Sequence, residues 1–179
     1  MKLLKILVLV CSAIVNAQSL KLGFDLEANW VSLKSGLMGG EGSPISYHLN
    51  VAYIPLNPLA LQMKVGSTTM ISFTGLEVGL SIKYIVHDPF YITVGMLHHS
   101  NTGGGGSNSW GTEYASILMF NASAGFRLIE FLSLELGFYI PTSSKVIGYS
   151  TLIYEYPPKH KTLIFKNMLR LGLVFAWDI

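Results

Sequence analysis

The sequence predicts an all-β fold, an eight-stranded antiparallel up-and-down transmembrane β-barrel. Three observations lead to this prediction. Apolar and polar residues alternate with period two over long segments, and the connections between these segments alternate between short and long. Half of the 179 residues are apolar and only 12% are charged, yet nothing beyond the N-terminal segment approaches the ~20 apolar residues that a membrane-spanning helix requires. This composition argues against a disordered chain and against nucleic-acid binding.

The N-terminal residues 1–17 have the features of a secretory signal peptide. Lys2 and Lys5 precede an apolar stretch, and Ala17 ends a small-residue cleavage site. We therefore expect residues 18–179 to form the barrel. Removal of the signal would leave ten Lys and Arg residues against ten Asp and Glu residues. It would also remove Cys11, the single cysteine, so no disulfide is expected.

The alternation is clearest in residues 20–30, where every even position is apolar and every odd position is polar or glycine. A strand that crosses a membrane needs ~9–11 residues, whereas strands of soluble sandwiches are usually shorter. Similar patterns along the chain predict eight strands. They cover approximately residues 20–30, 45–53, 59–65, 76–84, 90–96, 114–128, 132–140 and a last segment that runs to the C-terminus.

The connections between the predicted strands fit a closed membrane barrel. Tight turns are expected at 55–58, 86–89 and 129–130, and long Gly-, Ser- and Thr-rich loops at 32–44, 66–75, 99–112 and 141–162. Short periplasmic turns and long outer loops are typical of outer-membrane barrels. Closure is required physically, because an open sheet edge in hydrocarbon would leave backbone groups unpaired.

The inward positions of these strands carry a balanced mixture of charges. An eight-stranded barrel is just wide enough for such side chains to fill it, so we expect a polar core of ion pairs and hydrogen bonds rather than an open pore. We assign no chemistry to Glu77 and Glu135 within it. The predicted inward charged residues are Lys21, Asp25, Glu27, Lys64, Glu77, Lys83, Arg127, Glu135, Arg170 and Asp178.

The last strand adds a signal of location. Arg170, Gly172 and the alternating apolar residues that lead to Trp177 resemble the C-terminal assembly signal of outer-membrane barrels, with Ile179 where that signal usually ends in Phe. The resemblance implies integral insertion into the bacterial outer membrane, with the barrel assembly machinery as a partner.

One outer segment contains residues suited to chemistry. If Phe90, Ile92, Val94 and Met96 face lipid, then His98 and Ser100 continue the same outward face. Residues two apart on a strand have Cα atoms ~6.5–7 Å apart, so their side chains can meet as general base and nucleophile. The adjacent His99 turns inward and cannot share a metal with His98 on one face.

This segment resembles the lipid A deacylase family, small outer-membrane barrels that remove an ester-linked acyl chain from lipopolysaccharide. The shared pattern is His98, Ser100 and Asn101, followed by Asn108, Gly111 and Glu113. The resemblance implies that Ser100 is the nucleophile, His98 its base and Glu113 the acid that orients His98. It gives oxyanion support to Asn101 or Asn108, and it implies lipopolysaccharide as the lipid partner, with no metal or organic cofactor.

The register of the sixth strand affects the role of Glu113. The predicted register turns Glu113 inward, so Glu113 would reach His98 only through a bulge near Gly111.

The alternative interpretation is a non-catalytic outer-membrane barrel, in which His98 and Ser100 are polar rim residues. Its loops 32–44 and 141–162 would then serve adhesion, protection or ligand binding.

Overall fold

The computed structural model describes residues 19–34, 36–38, 45–70, 73–102, 110–152 and 159–179. The predicted signal peptide lies outside these ranges, within which no helix is long and apolar enough to cross a membrane. The strands of the described residues are β1 (Ser19–Leu33), β2 (Gly36–Met38), β3 (Ile45–Leu56), β4 (Leu59–Thr69), β5 (Gly75–His87), β6 (Phe90–Asn101), β7 (Trp110–Thr112), β8 (Ala115–Ile129), β9 (Leu132–Pro141), β10 (Lys145–Leu152) and β11 (Lys159–Asp178).

Eight of these strands close into a barrel. In the series β1, β3, β4, β5, β6, β8, β9 and β11, each strand pairs antiparallel with the next, and β11 pairs back with β1. Because the first and last strands pair with each other, the barrel presents no open edge to hydrocarbon. The predicted fold class is therefore confirmed as an all-β, eight-stranded antiparallel transmembrane β-barrel. We call the end with the long connections the outer end and the opposite end the turn end.

The three short strands extend the sheet beyond the outer end. β2 pairs with the end of β1, β10 pairs with the beginning of β11, and β7 pairs with β10. The segment 141–162, predicted as a loop, therefore contains β10 and the start of β11. β6 also continues to Asn101, into the predicted loop 99–112. Period-two hydrophobicity marks only the lipid-facing part of a strand, so backbone pairing that continues beyond the lipid leaves no such pattern.

The outer wall is apolar along the membrane-spanning part of the strands. On β5, for example, Leu76, Val78 and Leu80 are each about half exposed or more, whereas Glu77 between them is fully buried. Trp30 lies on this wall towards the outer end of β1, and Trp177 lies on it at the turn end. The ring of Trp177 stacks on Phe131 with centroids 6.3 Å apart. These positions suit the aromatic girdles that flank the apolar band of a membrane barrel.

Charged side chains that neutralise one another fill the middle of the barrel. Arg170 bridges two carboxylates, with Nη1 2.8 Å from Oε2 of Glu27 and Nη2 2.6 Å from Oε1 of Glu77. Lys64 donates to Oε1 of Glu27 at 3.0 Å and to the hydroxyl of Tyr139 at 3.2 Å. Because buried charges are tolerated when they are paired and hydrogen-bonded, this network accounts for the predicted polar core at mid-height.

The outer end of the interior is apolar, which differs from the expectation of a polar core throughout. Ile117 and Met119 disturb the alternation of β8 because their side chains point into this apolar cluster instead of lipid. Phe73 lies in the connection between β4 and β5. Its ring centroid is 3.8 Å from that of His99 and 5.1 Å from that of Phe165. The buried members of the cluster are Val31, Leu33, Phe73, Leu97, Ile117, Met119, Tyr139, Ile147, Leu163, Phe165 and Met168.

Candidate active site

His98 and Ser100 project from the outer wall of β6, close to its outer end. The neighbouring side chains of His99 and Asn101 are buried inside the barrel, while His98 and Ser100 are partly exposed outside it. This is the orientation that strand alternation predicts from the lipid-facing residues earlier in β6. The base and nucleophile expected from the sequence therefore share the face that contacts the membrane.

A second hydroxyl, that of Ser116 on β8, lies beside them. β6 and β8 pair so that Ser100 is directly opposite Ser116 and His98 is opposite Leu118. The Nε2 atom of His98 lies 2.6 Å from Oγ of Ser116. Directly opposite residues in an antiparallel sheet have Cβ atoms ~4.5–5.5 Å apart, so Ser100 is adjacent to this pair. The structure thus places the imidazole in contact with the Ser116 hydroxyl, with Ser100 beside this pair on the outer wall. Among the described residues, no hydrogen bond joins His98 to Ser100.

Glu113 lies just before β8, with an exposed side chain rather than the inward one that the register predicted. Because β8 begins only at Ala115, strand alternation does not fix the direction of Glu113. Its backbone is held by Ile147, whose carbonyl accepts from the Glu113 N–H at 3.0 Å. Between these described residues there is no ion pair joining the Glu113 carboxylate to His98. The contact at the imidazole is made by Ser116 instead.

The two asparagines of the sequence pattern are placed differently. Asn101 faces the interior, where its Nδ2 donates to the carbonyl of Glu113 at 2.7 Å and to that of Ile147 at 3.3 Å. It therefore ties the end of β6 to the residues before β8, on the opposite face of the strand from Ser100. Asn108 belongs to residues 103–109, which lie outside the described residues.

No motif in the sequence marks Ser116 as a functional residue. Its outward direction follows from the alternation of β8, because Leu118 and Phe120 further along the strand also face outward. Its position opposite Ser100 does not follow from the sequence. A long connection joins β6 to β8, and such a connection leaves the register of the hairpin unspecified.

Apolar side chains of the outer wall border this site. Leu76 and Val78 on β5 lie directly opposite Ser100 and His98, and both are exposed on the wall. Leu118 borders His98 from β8. A lipid acyl chain lying against the wall would therefore contact apolar side chains on both sides of the imidazole.

Among the described residues of the interior, one group has the composition of a metal site. Single ligand atoms of Asp25, Glu27 and His48 lie within 4.8 Å of one another. However, Glu27 already pairs with Lys64 at 3.0 Å and with Arg170 at 2.8 Å. A metal ion bound there would be repelled by Lys64 and Arg170, whose charges the Glu27 carboxylate already neutralises. This group is therefore better explained as part of the ionic network.

The fold and the surface together define the class of the protein. A closed barrel with a mainly apolar outer wall and paired charges inside pairs its backbone groups between strands and suits the hydrocarbon of a bilayer. The protein is an integral β-barrel of the bacterial outer membrane.

Comparison with known proteins gives similarity at the level of fold. No family model and no curated protein sequence matches the chain. The N-terminal β-barrel domain of Pseudomonas aeruginosa OprF is 16% identical, covers 90% of this chain and 99% of its own, and has a TM-score of 0.49. The outer membrane protein OprG from Pseudomonas aeruginosa is 10% identical over 92% of this chain and 98% of its own, with a TM-score of 0.47.

A third solved structure is that of Ail, the attachment invasion locus protein of Yersinia pestis, in complex with the heparin analogue sucrose octasulfate. It is 13% identical over 89% of this chain and 98% of its own, with a TM-score of 0.46. At these identities, the similarity concerns the fold alone.

Proposed function

We propose that this outer-membrane barrel is a lipid ester hydrolase that removes an acyl chain from a lipid A-type lipid of the outer leaflet. The observation that supports it is the imidazole of His98, which lies on the lipid-facing wall within hydrogen-bond distance of a serine hydroxyl and beside Ser100. An imidazole next to a serine hydroxyl is the arrangement that nucleophilic ester hydrolysis requires.

The position of the site relative to the bilayer supports a lipid substrate. His98 and Ser100 lie where the apolar wall of β6 gives way to polar residues at the outer end. The ester bonds of a lipid lie at the same boundary, between its acyl chains and its polar head group. The substrate would therefore reach the hydroxyls laterally from the membrane, without entering the sealed barrel.

The reaction would proceed in two steps. His98 takes the proton of Ser100 while Ser100 Oγ attacks the ester carbonyl, and collapse of the tetrahedral intermediate breaks the bond to the alcohol oxygen, which receives the proton from His98. His98 then takes a proton from water, and the hydroxide attacks the acyl-enzyme. The fatty acid leaves, and Ser100 recovers its proton from His98.

The sequence pattern gives further roles to Glu113 and the asparagines. It places Glu113 behind His98 as the acid, but among the described residues the exposed Glu113 side chain makes no ion pair with His98, so the reaction as proposed does not depend on Glu113. Asn108 is assigned to the oxyanion by the pattern alone, while Asn101 supports the site by fixing the backbone of Glu113.

The test uses the full chain refolded into vesicles that contain lipid A. Fatty-acid release and a mass loss of one acyl chain are measured for the wild type, Ser100→Ala and His98→Ala. Ser32→Ala and His87→Ala are matched controls, because Ser32 lies on the wall of another strand and His87 at the turn end.

We expect release by the wild type and both controls and none by Ser100→Ala. Replacing His98 should lower the rate ~10²–10⁴-fold, the usual contribution of a general base. Intact lipid A after incubation with fully folded wild-type protein would overturn the proposal and favour the non-catalytic barrel.

A further inference from the structure

We infer that Ser116 is a positioning residue for His98 and performs the orienting role that the sequence pattern gives to a carboxylate. This inference rests on the proposed function, because it concerns the base of that reaction. Its starting point is the distance of 2.6 Å between Nε2 of His98 and Oγ of Ser116.

The two nitrogens of a neutral imidazole have different roles. One carries a hydrogen and donates, and the other carries the lone pair that can accept a proton. The hydrogen bond at one nitrogen selects the tautomer and so fixes the role of the other. If Nε2–H donates to Ser116 Oγ, the lone pair is on Nδ1 and is available for the proton of Ser100.

A hydroxyl oxygen can keep this role through the whole reaction. When Nδ1 takes the proton of Ser100, the Nε2–H of the imidazolium still donates to the same oxygen, so neither side chain has to move. Ser100, His98 and Ser116 then act as nucleophile, base and orienting group, which is the general arrangement of an activated nucleophile.

The backbone holds Ser116 firmly in place. β6 and β8 pair continuously from Phe90 opposite Phe126 to Asn101 opposite Ala115, with no register shift. Ser116 is therefore fixed opposite Ser100 by the ladder itself. Glu113 precedes this ladder and has no ion pair with His98 among the described residues, which leaves the orienting contact to Ser116.

The experiment compares Ser116→Ala and Ser116→Thr with the wild type in lipid A vesicles, measuring kcat and KM of fatty-acid release. A fluorophosphonate, which bonds to an activated serine oxygen with loss of fluoride, is used in parallel, and the labelled serine is mapped by mass spectrometry. Folding of each variant is checked by its heat-dependent mobility in gel electrophoresis.

We expect Ser116→Ala to lower kcat about 100-fold, the cost of a misplaced catalytic group, with little change in KM. In this variant the fluorophosphonate should still label Ser100, but more slowly than in the wild type. Ser116→Thr keeps the hydroxyl and should restore most of kcat, which a role in packing alone would not explain.

Other results would overturn the inference in distinguishable ways. Label on Ser116 would make Ser116 the nucleophile, and an unchanged kcat in a folded Ser116→Ala would remove its role; both leave the hydrolase proposal standing. Absence of both label and fatty-acid release in the wild type would overturn the proposed function and this inference together.

Discussion

The guanidinium of Arg170 and the carboxylate of Glu77 meet inside the barrel, with Nη2 and Oε1 2.6 Å apart although 93 positions separate the two residues in sequence. Arg170 lies on the last strand, β11, and Glu77 on β5 across the barrel. Both side chains are buried, and Arg170 also pairs with Glu27. The contact joins opposite walls and requires the closed barrel.

Replacing Arg170 by Ala should destabilise the protein strongly. The change leaves the buried carboxylates of Glu27 and Glu77 without their shared cation, and an uncompensated buried charge costs ~3–5 kcal/mol. The free energy of unfolding, measured by denaturant titration in detergent micelles, checks this expectation.

The matched control is Lys21→Ala, which breaks the pair with Asp178 at 3.1 Å. That pair is largely open to solvent, so its loss should cost at most about 1 kcal/mol. Equal losses in the free energy of unfolding for Arg170→Ala and Lys21→Ala would show that Arg170 does not stabilise the interior through its charge.

Gly125→Ala should destabilise the barrel because a methyl group at this position would overlap the ring of Tyr91. Tyr91 is buried and has the ammonium of Lys83 3.4 Å from its ring centroid, so it has little room to move. Gly137→Ala is the control, since its added carbon would lie 3.0 Å from Cε2 of Tyr139 and needs only a small adjustment. The midpoint temperature of thermal unfolding should be lower for Gly125→Ala than for Gly137→Ala. A lower midpoint for Gly137→Ala would contradict the packing described.

Leu80→Arg should destabilise the membrane-inserted protein by about 2–4 kcal/mol, the cost of a cation on the lipid-facing wall near mid-membrane. Val86→Arg is on the same strand and the same face but lies next to the turn end, where the expected cost is about 0–1 kcal/mol. The free energy of unfolding in lipid vesicles is measured for both variants. A similar cost at the two positions would mean that the apolar band is misplaced.

Phe73→Ala should weaken the apolar cluster at the outer end. The side chain is fully buried between His99 and Phe165, and removal of a buried phenyl ring typically costs ~3–5 kcal/mol. Phe90→Ala removes a ring that faces lipid and should cost clearly less, because lipid can occupy the space. Denaturant titration in micelles measures the free energy of unfolding of both variants. Similar losses of stability for Phe73→Ala and Phe90→Ala would refute the role of Phe73.

The sequence determined which way most side chains point. Alternation is a local property of an extended backbone, so the outward direction of His98 and Ser100 and the inward direction of Glu77 follow from the residues beside them. The number of barrel strands and their antiparallel order also follow, because the alternating segments and their connections repeat along the chain. Where local signals were mixed, as at Ile117 and Met119, an apolar residue on an inner face could not be recognised without its partners.

Only the tertiary structure decided which side chains meet. The contact of His98 with Ser116 depends on the register of β6 against β8, and that of Arg170 with Glu77 depends on closure of β11 onto β1. The same holds for Phe73, which reaches the interior from a connection whose path no periodic pattern marks. Direction along a strand is set by neighbouring residues, whereas register and closure are set by the free energy of the whole sheet.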